Sequence, residues 1–126
     1  MTAMQHPNAA ETLIFSCSGA ADVGEIADRA ARAMMKQGCG KMFCLAGIGG
    51  HVPDILERAR AAGALLVIDG CEKDCGRHCL DRAGLHHYSH VRLTDQQMEK
   101  GKTPVTHDAI ARAAQLATQV LATARC

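Results

Sequence analysis

The chain is 126 residues long, which is enough for one domain with a hydrophobic core and too short for two. Apolar residues make up 48% of the chain but aromatic residues only 2%, so we expect a core of Ala, Leu, Ile, Val and Met. The formal net charge is +1, and the basic residues are scattered along the chain. This pattern argues against nucleic acid as a partner, because nucleic-acid-binding domains usually present a basic face.

The sequence contains no apolar run of the roughly 20 residues that a membrane-spanning helix requires. Its first residues also lack the basic segment followed by an apolar stretch that marks a signal peptide. We therefore expect no membrane partner and a cytoplasmic location, in which the seven cysteines would stay reduced. Reduced cysteines in this number are typical of metal ligands or reactive thiols.

Apolar runs and helical periodicity alternate along the chain, and they predict four strands and four helices. We expect residues 1–11 to form a flexible N-terminal arm and residues 12–126 to form a single domain. The first predicted elements are a strand over residues 12–17, a helix capped by Asp22 and stopped by Gly38, a strand over residues 41–46, a glycine-rich turn over residues 47–50 and a helix with Pro53 in its first turn. The remaining ones are a strand over residues 64–69, a short helix over residues 74–83, a polar edge strand over residues 86–93 and a last helix that begins at Thr103-Pro104.

This βαβαβαβα alternation predicts a mostly parallel sheet with helices on both faces. We expect a single three-layer α/β/α domain whose four strands lie in the flavodoxin-like or Rossmann-like order 2-1-3-4. In that order the first strand lies between the second and the third, so the ends of these three strands are neighbours.

Four cysteines lie where this fold would bring them together. Cys17, Cys44 and Cys71 lie at the carboxyl ends of the first three predicted strands, and Cys75 starts the helix four residues after Cys71. Neighbouring strands are roughly 4.8 Å apart. A tetrahedral zinc site with bonds of about 2.3 Å to sulfur holds its sulfurs roughly 3.8 Å apart. Four thiolates at this edge of the sheet could therefore converge on one zinc ion with little adjustment.

The surroundings of these cysteines suit a negatively charged cluster. Helix N-termini point at this edge of the sheet, and their free N–H groups favour anions. The turns at residues 18–19 and 47–50 can supply further backbone N–H groups. Lys73 and Arg77 could offset the charge that remains on the thiolates.

The other three cysteines are assigned less directly. Cys79 lies one helical turn after Cys75, and it could be a further ligand, a resolving thiol or a residue of the helix face. Cys39 lies before the second strand and Cys126 at the chain end, so we expect neither to take part in the site.

Several other polar residues lie near the predicted edge or on the fourth strand. We expect His51, which follows the glycine-rich turn, to be a solvated loop residue. His86 and His90 share one face of the fourth strand, and they indicate a sheet edge more than a metal site. Asp69 ends the third strand, where it would cap a helix or orient a ligand.

The cysteines fit two kinds of function. The first is a zinc protein with a four-thiolate site; such closed sites are usually structural, but the position at the ligand-binding edge suggests metal sensing, metal handling or partner docking. The second is a thiol-based redox or sulfur-transfer enzyme that would use Cys71, Cys75 and Cys79 in turn, although the chain has no Cys-x-x-Cys spacing. An iron–sulfur cluster would also take four cysteines. The sequence leaves the choice between a monomer and a homodimer open.

The cysteine segments also carry a family resemblance. The sequences CSGAADVG from Cys17, CLAGIGG from Cys44 and DGC ending at Cys71, followed by Cys75, resemble the motifs of the DGC-domain zinc-binding proteins. The resemblance covers nearly the whole chain from residue 12, and it implies one zinc ion per chain with those four cysteines as ligands. It implies no reaction, because the family has no assigned biochemical role. Cys79 is an additional cysteine beyond the four that the resemblance accounts for.

Overall fold

The structure, a computed structural model, describes residues 10–121. Most of the predicted N-terminal arm, and also Cys126, lie outside the described residues. The elements in chain order are β1 (Thr12–Ser16), α1 (Asp22–Lys36), β2 (Lys41–Met42), α2 (Leu45–Gly49), α3 (Pro53–Ala61), β3 (Ala64–Asp69), α4 (Cys75–Arg82), β4 (Tyr88–Arg92), a 3₁₀-helix (Leu93–Gln96) and α5 (His107–Val120).

All four strands are parallel and lie in the order β2-β1-β3-β4, which confirms the predicted order 2-1-3-4. β1 and β3 occupy the centre because both are continuous apolar runs, which suit strands that are covered on both faces. The more polar β4 forms an edge, as predicted. The register places Ser16 opposite Ile68 and Asp69 opposite Arg92, so β1, β3 and β4 end at the same edge of the sheet.

Alternate side chains of the central strands enter two separate hydrophobic clusters, one on each face of the sheet. Ile14, Leu66 and Ile68 pack with α1 and α5, and we name this set the α1/α5 cluster. Leu13 and Phe15 pack with residues of α2, α3 and α4, and we name this set the α2/α4 cluster. Helices on both faces give the predicted three-layer α/β/α architecture.

The second strand is much shorter than predicted. Only Lys41 and Met42 pair with β1 as a strand, and residues 45–49, which include most of the predicted glycine-rich turn, form the one-turn helix α2. Phe43 still donates its N–H to Ile14 before the chain leaves the sheet. Its ring then packs edge-on against Phe15, with the centroids 6.0 Å apart. The strand prediction over residues 41–46 is therefore wrong beyond Met42.

Two predicted helix starts are also displaced. Ala21 is the N-cap of α1, and Asp22 is its first helical residue. The last helix begins at His107, where the Thr106 side chain accepts the N–H of Ala109, and not at Thr103-Pro104. The Asp22 carboxylate accepts the N–H of Thr103, which anchors the loop before α5 to the start of α1.

None of the helices in the described part of the chain has both the length and the apolarity to cross a bilayer.

The central strand β3 offers a test of the core. Leu66 is 0% exposed in the α1/α5 cluster, so we expect Leu66→Ala to lower the free energy of unfolding by about 3 kcal/mol through lost burial and an unfilled cavity. Met35→Ala, at a side chain that is 42% exposed, is the matched control and should cost less than about 1 kcal/mol. Urea unfolding of both variants measures this; equal losses would contradict the packing described.

Candidate metal-binding site

A cavity of about 430 Å³ lies at the carboxyl edge of the sheet, beside the ends of β1 and β3. Its lining includes the thiol-bearing residues Cys17, Cys71 and Cys75 and the cationic residues Lys73 and Lys100. Small residues from the loop after β1 and from the start of α1 supply much of the remaining lining. The fold thus brings three of the four predicted zinc ligands to one cavity.

Cys17 directly follows β1, and its N–H still donates to the Ile68 carbonyl at 3.1 Å. Its Sγ accepts a hydrogen bond from the N–H of Gly70 at 3.3 Å. Burial raises the pKa of the Cys17 thiol, whereas the N–H groups of Gly19 and Gly70 lower it. Backbone donors therefore already point at this sulfur, and such donors stabilise and orient metal-bound ligands.

Glycines allow the end of β3 to approach the first turn of α1. A Cβ on Gly70 would lie 2.8 Å from the carbonyl carbon of Val23, and a Cβ on Gly24 would lie 2.7 Å from the carbonyl oxygen of Gly19. These neighbours are backbone atoms, which cannot turn aside as the end of a side chain can. The glycine of the Asp69-Gly70-Cys71 segment therefore brings two chain segments of the site into contact.

Cys71 is half-buried, and its Sγ lies 3.8 Å from the ammonium nitrogen of Lys100. The loop that carries Lys100 is anchored by the Asp22 carboxylate, which accepts the N–H of Gly101 at 2.8 Å and of Thr103 at 2.9 Å. These N–H groups hold the pKa of the Asp22 carboxyl below its usual value. A cation from a distant part of the sequence is thereby held against one thiol of the cavity.

Cys75 is exposed and begins α4. Asp69, which is 1% exposed, fixes the start of that helix because its carboxylate accepts the N–H of Gly76 at 2.8 Å and of Arg77 at 3.1 Å. A carboxylate at this end of a helix also complements the helix dipole. Asp69 thus caps α4, which is one of the two roles predicted for it.

Asp74 precedes Cys75 in the left-handed backbone conformation, with φ +51°. Its buried carboxylate pairs with Arg92, whose Nε lies 2.7 Å from Oδ1, and with Arg77 at 3.4 Å. The Arg92 guanidinium holds the pKa of the Asp74 carboxyl below its usual value. Arg77 also lies 3.7 Å from Asp81, so it is engaged by carboxylates and does not line the thiol cavity, contrary to the prediction.

Asp69, Asp74 and His90 place their ligand atoms within 4.8 Å of one another, a spacing that suits a metal ion. Within residues 10–121 no three cysteine sulfurs are as close together. The ligand atoms of these three residues already have partners within the protein. His90 Nε2 lies 2.8 Å from the Asp69 carboxylate, and the Asp74 carboxylate is paired with Arg92. We interpret the trio as a network that holds the start of α4, and not as a second metal site.

Cys44, Cys79 and His51 lie outside the lining of the cavity. Cys44 is exposed and caps α2, since its Sγ accepts the N–H of Gly47 at 3.3 Å.

Cys79 packs against the α2/α4 cluster, and burial is the main cause of the raised pKa of its thiol. His51 is exposed, as predicted, with φ +55°. Cys39, which was expected to be uninvolved in the site, is buried in the α1/α5 cluster. It is disulfide-bonded, so the expectation that all seven cysteines stay reduced is wrong for this residue.

The donor set of the cavity fits a zinc ion. Thiolates are ligands that zinc accepts in tetrahedral sites. The N–H of Gly70 at Cys17 and the ammonium group of Lys100 at Cys71 supply the positive partners that thiolates need. Three cysteines line the cavity, so a fourth thiolate would have to come from outside its lining.

Sequence reasoning missed two residues of this site. Lys100 is 29 positions from Cys71, and no local pattern indicates that Asp22 anchors its loop. His90 was predicted to mark the sheet edge together with His86, but it contacts Asp69 while His86 lies 3.5 Å from Asp81. The contact of His90 with Asp69 could have been predicted from the parallel pairing of β3 with β4, which places the two strand ends side by side.

Comparison with known proteins shows the family to which the chain belongs. A family model described as DGC domain matches residues 13–117, and the chain belongs to this family. It is 33% identical over 88 residues to the anaerobic and virulence modulator AnvM of Pseudomonas aeruginosa PAO1, over 70% of this chain and 67% of that protein. No solved structure matches the chain.

The close contact at Gly70 gives a prediction for the site. We expect Gly70→Ala to lower the free energy of unfolding by about 2 kcal/mol, because the added Cβ would collide with backbone atoms of α1. Gly19→Ala is the matched control, since a Cβ there meets nothing within 4 Å, and it should be tolerated. Thermal and urea unfolding measure both effects; a Gly70 variant as stable as the Gly19 variant would contradict the close approach.

The pair of Asp74 and Arg92 gives a pH-dependent prediction. Arg92→Gln should lower the free energy of unfolding by about 2 kcal/mol at pH 7, because it leaves a buried carboxylate without its main partner. The pKa of Asp74 is lowered in the folded protein, so its stabilising effect is present above the usual value of 3.8 and is lost as the pH falls through the folded-state pKa. The difference between Arg92→Gln and the unchanged protein should therefore shrink in unfolding experiments at pH 3. Asp95→Asn, which removes only the exposed partner of Arg92, is the control and should have a small effect at both pH values.

Proposed function

We propose that this DGC-domain protein binds one zinc ion through the thiolates of Cys17, Cys44, Cys71 and Cys75. The observation that carries the proposal is the convergence of three of these cysteines on one cavity at the carboxyl edge of the sheet. In open parallel sheets this edge is the usual place for ligands. Zinc there would hold together the ends of β1 and β3 and the start of α4.

Cys44 is the fourth ligand in this proposal. It lies directly after Phe43, which is still hydrogen-bonded to β1, and it is exposed. Among residues 10–121 its Sγ accepts one hydrogen bond, from the N–H of Gly47, and loss of that bond on release from α2 would cost about 1 kcal/mol. This cost is small beside the roughly 10 kcal/mol or more that a structural zinc ion contributes.

The charges around the cavity support a thiolate site. Four thiolates and one Zn²⁺ leave two negative charges. Lys73 and Lys100 line the cavity, where they would offset those charges. Such a site requires reduced cysteines, so the proposal includes a reducing compartment such as the cytoplasm.

We propose a regulatory use for this site, either metal sensing and handling or the docking of a protein partner. A site with four thiolates has no open position for a substrate, which favours such a use over catalysis. The Pseudomonas relative is itself named a modulator, and we extend that kind of role to this chain.

Elemental analysis of the untagged protein, purified anaerobically without a chelator, tests the proposal. We expect about one zinc per chain, because four cysteines make one tetrahedral site. Iron with visible absorbance would indicate an iron–sulfur cluster instead. The absence of any metal would overturn the proposal.

A pair of cysteine variants assigns the ligands. Cys75→Ser should lose the zinc and lower the melting temperature, because it removes a thiol that lines the cavity. Cys79→Ser is the matched control on the same helix, and it should keep the metal because Cys79 packs against the α2/α4 cluster. Metal content and thermal unfolding are measured for both. Stoichiometric zinc in Cys75→Ser would contradict the assignment.

Thiol redox or sulfur-transfer chemistry is the second candidate, and the exposure of Cys75 at the start of a helix favours it. Against it, Cys75 and Cys79 are four positions apart on α4, where Cβ atoms lie roughly 5–6 Å apart, beyond the spacing of a disulfide. Alkylation separates the two functions. Zinc-bound thiolates should react only after a chelator is added, whereas a redox thiol should react at once.

A further inference from the structure

We propose that the fourth ligand position beside Cys17, Cys71 and Cys75 accepts a small thiol compound from solution in exchange for Cys44. The inference rests on the proposed zinc site and names the class of ligand that this site would take. It makes Cys44 the exchangeable ligand and the other three cysteines the permanent ones.

The first argument is the placement of the cysteines on the two faces of the sheet. Cys17 and Cys71 pack against the α1/α5 cluster. The two neighbours of Cys44, Phe43 and Leu45, pack against the α2/α4 cluster on the opposite face. Cys44 caps α2, whose Ile48 belongs to that opposite cluster, and it is absent from the cavity lining that the other three share.

The second argument is that Cys44 has another partner when it is not a ligand. Its Sγ accepts the N–H of Gly47 and caps α2, which is one turn long. Gly47 is itself packed against Ile55, because an added Cβ would lie 2.3 Å from Cδ1 of that side chain. Cys44 without metal is thus part of a packed turn, and it needs no refolding to leave the site.

The third argument is space. A cavity of about 430 Å³ is far larger than a metal ion requires, and it falls within the range of small-molecule sites. Its lining is rich in glycine and alanine, so few side chains occupy the room beside the thiols. A compound of a few heavy atoms that carries one thiol would fit there.

The fourth argument is charge. Asp69 and Asp74 line the cavity but are engaged by backbone N–H groups, His90 and Arg92. Lys73 and Lys100 have no carboxylate within ion-pair distance among residues 10–121. Three thiolates with Zn²⁺ leave one negative charge, and the two lysines reverse it to one positive charge. One further thiolate makes the site neutral, and sulfur is a donor that zinc readily accepts.

The exchange requires no oxidant or reductant. The incoming thiol would give up its proton, and its sulfur would take the position of Cys44. The Cys44 thiolate would take up that proton and return to the N–H of Gly47. One thiolate would replace another, so the total charge of the site would not change.

Cobalt(II) in place of zinc provides the test, because its visible absorption reports tetrahedral thiolate coordination. Full-length Cys44→Ser and Cys75→Ser are each titrated with cobalt, first without and then with 2-mercaptoethanol, and ethylene glycol serves as the probe without sulfur. We expect Cys44→Ser to bind cobalt more weakly than the unchanged chain, because it lacks one thiolate donor, and to regain the absorption when 2-mercaptoethanol is added. Cys75→Ser should not regain it, because Cys75 is one of the three cysteines that line the cavity.

The outcomes separate this inference from the proposed function. Metal in the unchanged chain together with no effect of 2-mercaptoethanol on Cys44→Ser would overturn the inference alone. Equal recovery of the absorption in Cys44→Ser and Cys75→Ser would also overturn it, because Cys44 would then be no more exchangeable than Cys75. A chain that takes up neither zinc nor cobalt would overturn the proposed function and this inference together.

Discussion

The site depends most on one buried carboxylate, that of Asp69. It lies at the end of a central strand and accepts two N–H groups from the start of α4, so it ties the start of that helix to the end of the strand. The same carboxylate also contacts His90, so it joins the edge strand β4 to the end of β3 and the start of α4. A buried charge of this kind is stable only with a full set of partners. The Asp69 side chain therefore fixes both ends of the segment from Asp69 to Cys75, which carries Cys71.

The positive charge around the thiols comes from more than one level of structure. Backbone N–H groups at Cys17 follow from the sharp turns after β1 and β3. Lys73 is local to the cysteine segment, whereas Lys100 arrives through a loop that Asp22 anchors on α1. The same carboxylate belongs to the first turn of α1, so the loop that carries Lys100 is tied to a helix whose start lines the cavity.

Much of the fold could be predicted because the alternation of strands and helices admits few topologies, and continuous apolar runs belong at the centre of a parallel sheet. The prediction was wrong where an apolar run did not stay in the sheet. Residues 43–46 have the composition of a strand, but packing of Phe43 on Phe15 and capping by Cys44 turn the chain into α2. Local propensity cannot reveal this, because the partner that decides it lies on another strand.

The sequence by itself determined the class of fold, the strand order and the edge at which Cys17, Cys71 and Cys75 lie, because strand ends and side-chain alternation follow from local pattern. Only the tertiary structure decided that these three share a cavity while Cys44 caps a helix beside the opposite face of the sheet. It also decided that Lys100 lies against a thiol. These features depend on contacts between residues far apart in the chain, and close approach of that kind leaves no periodic signal in the sequence.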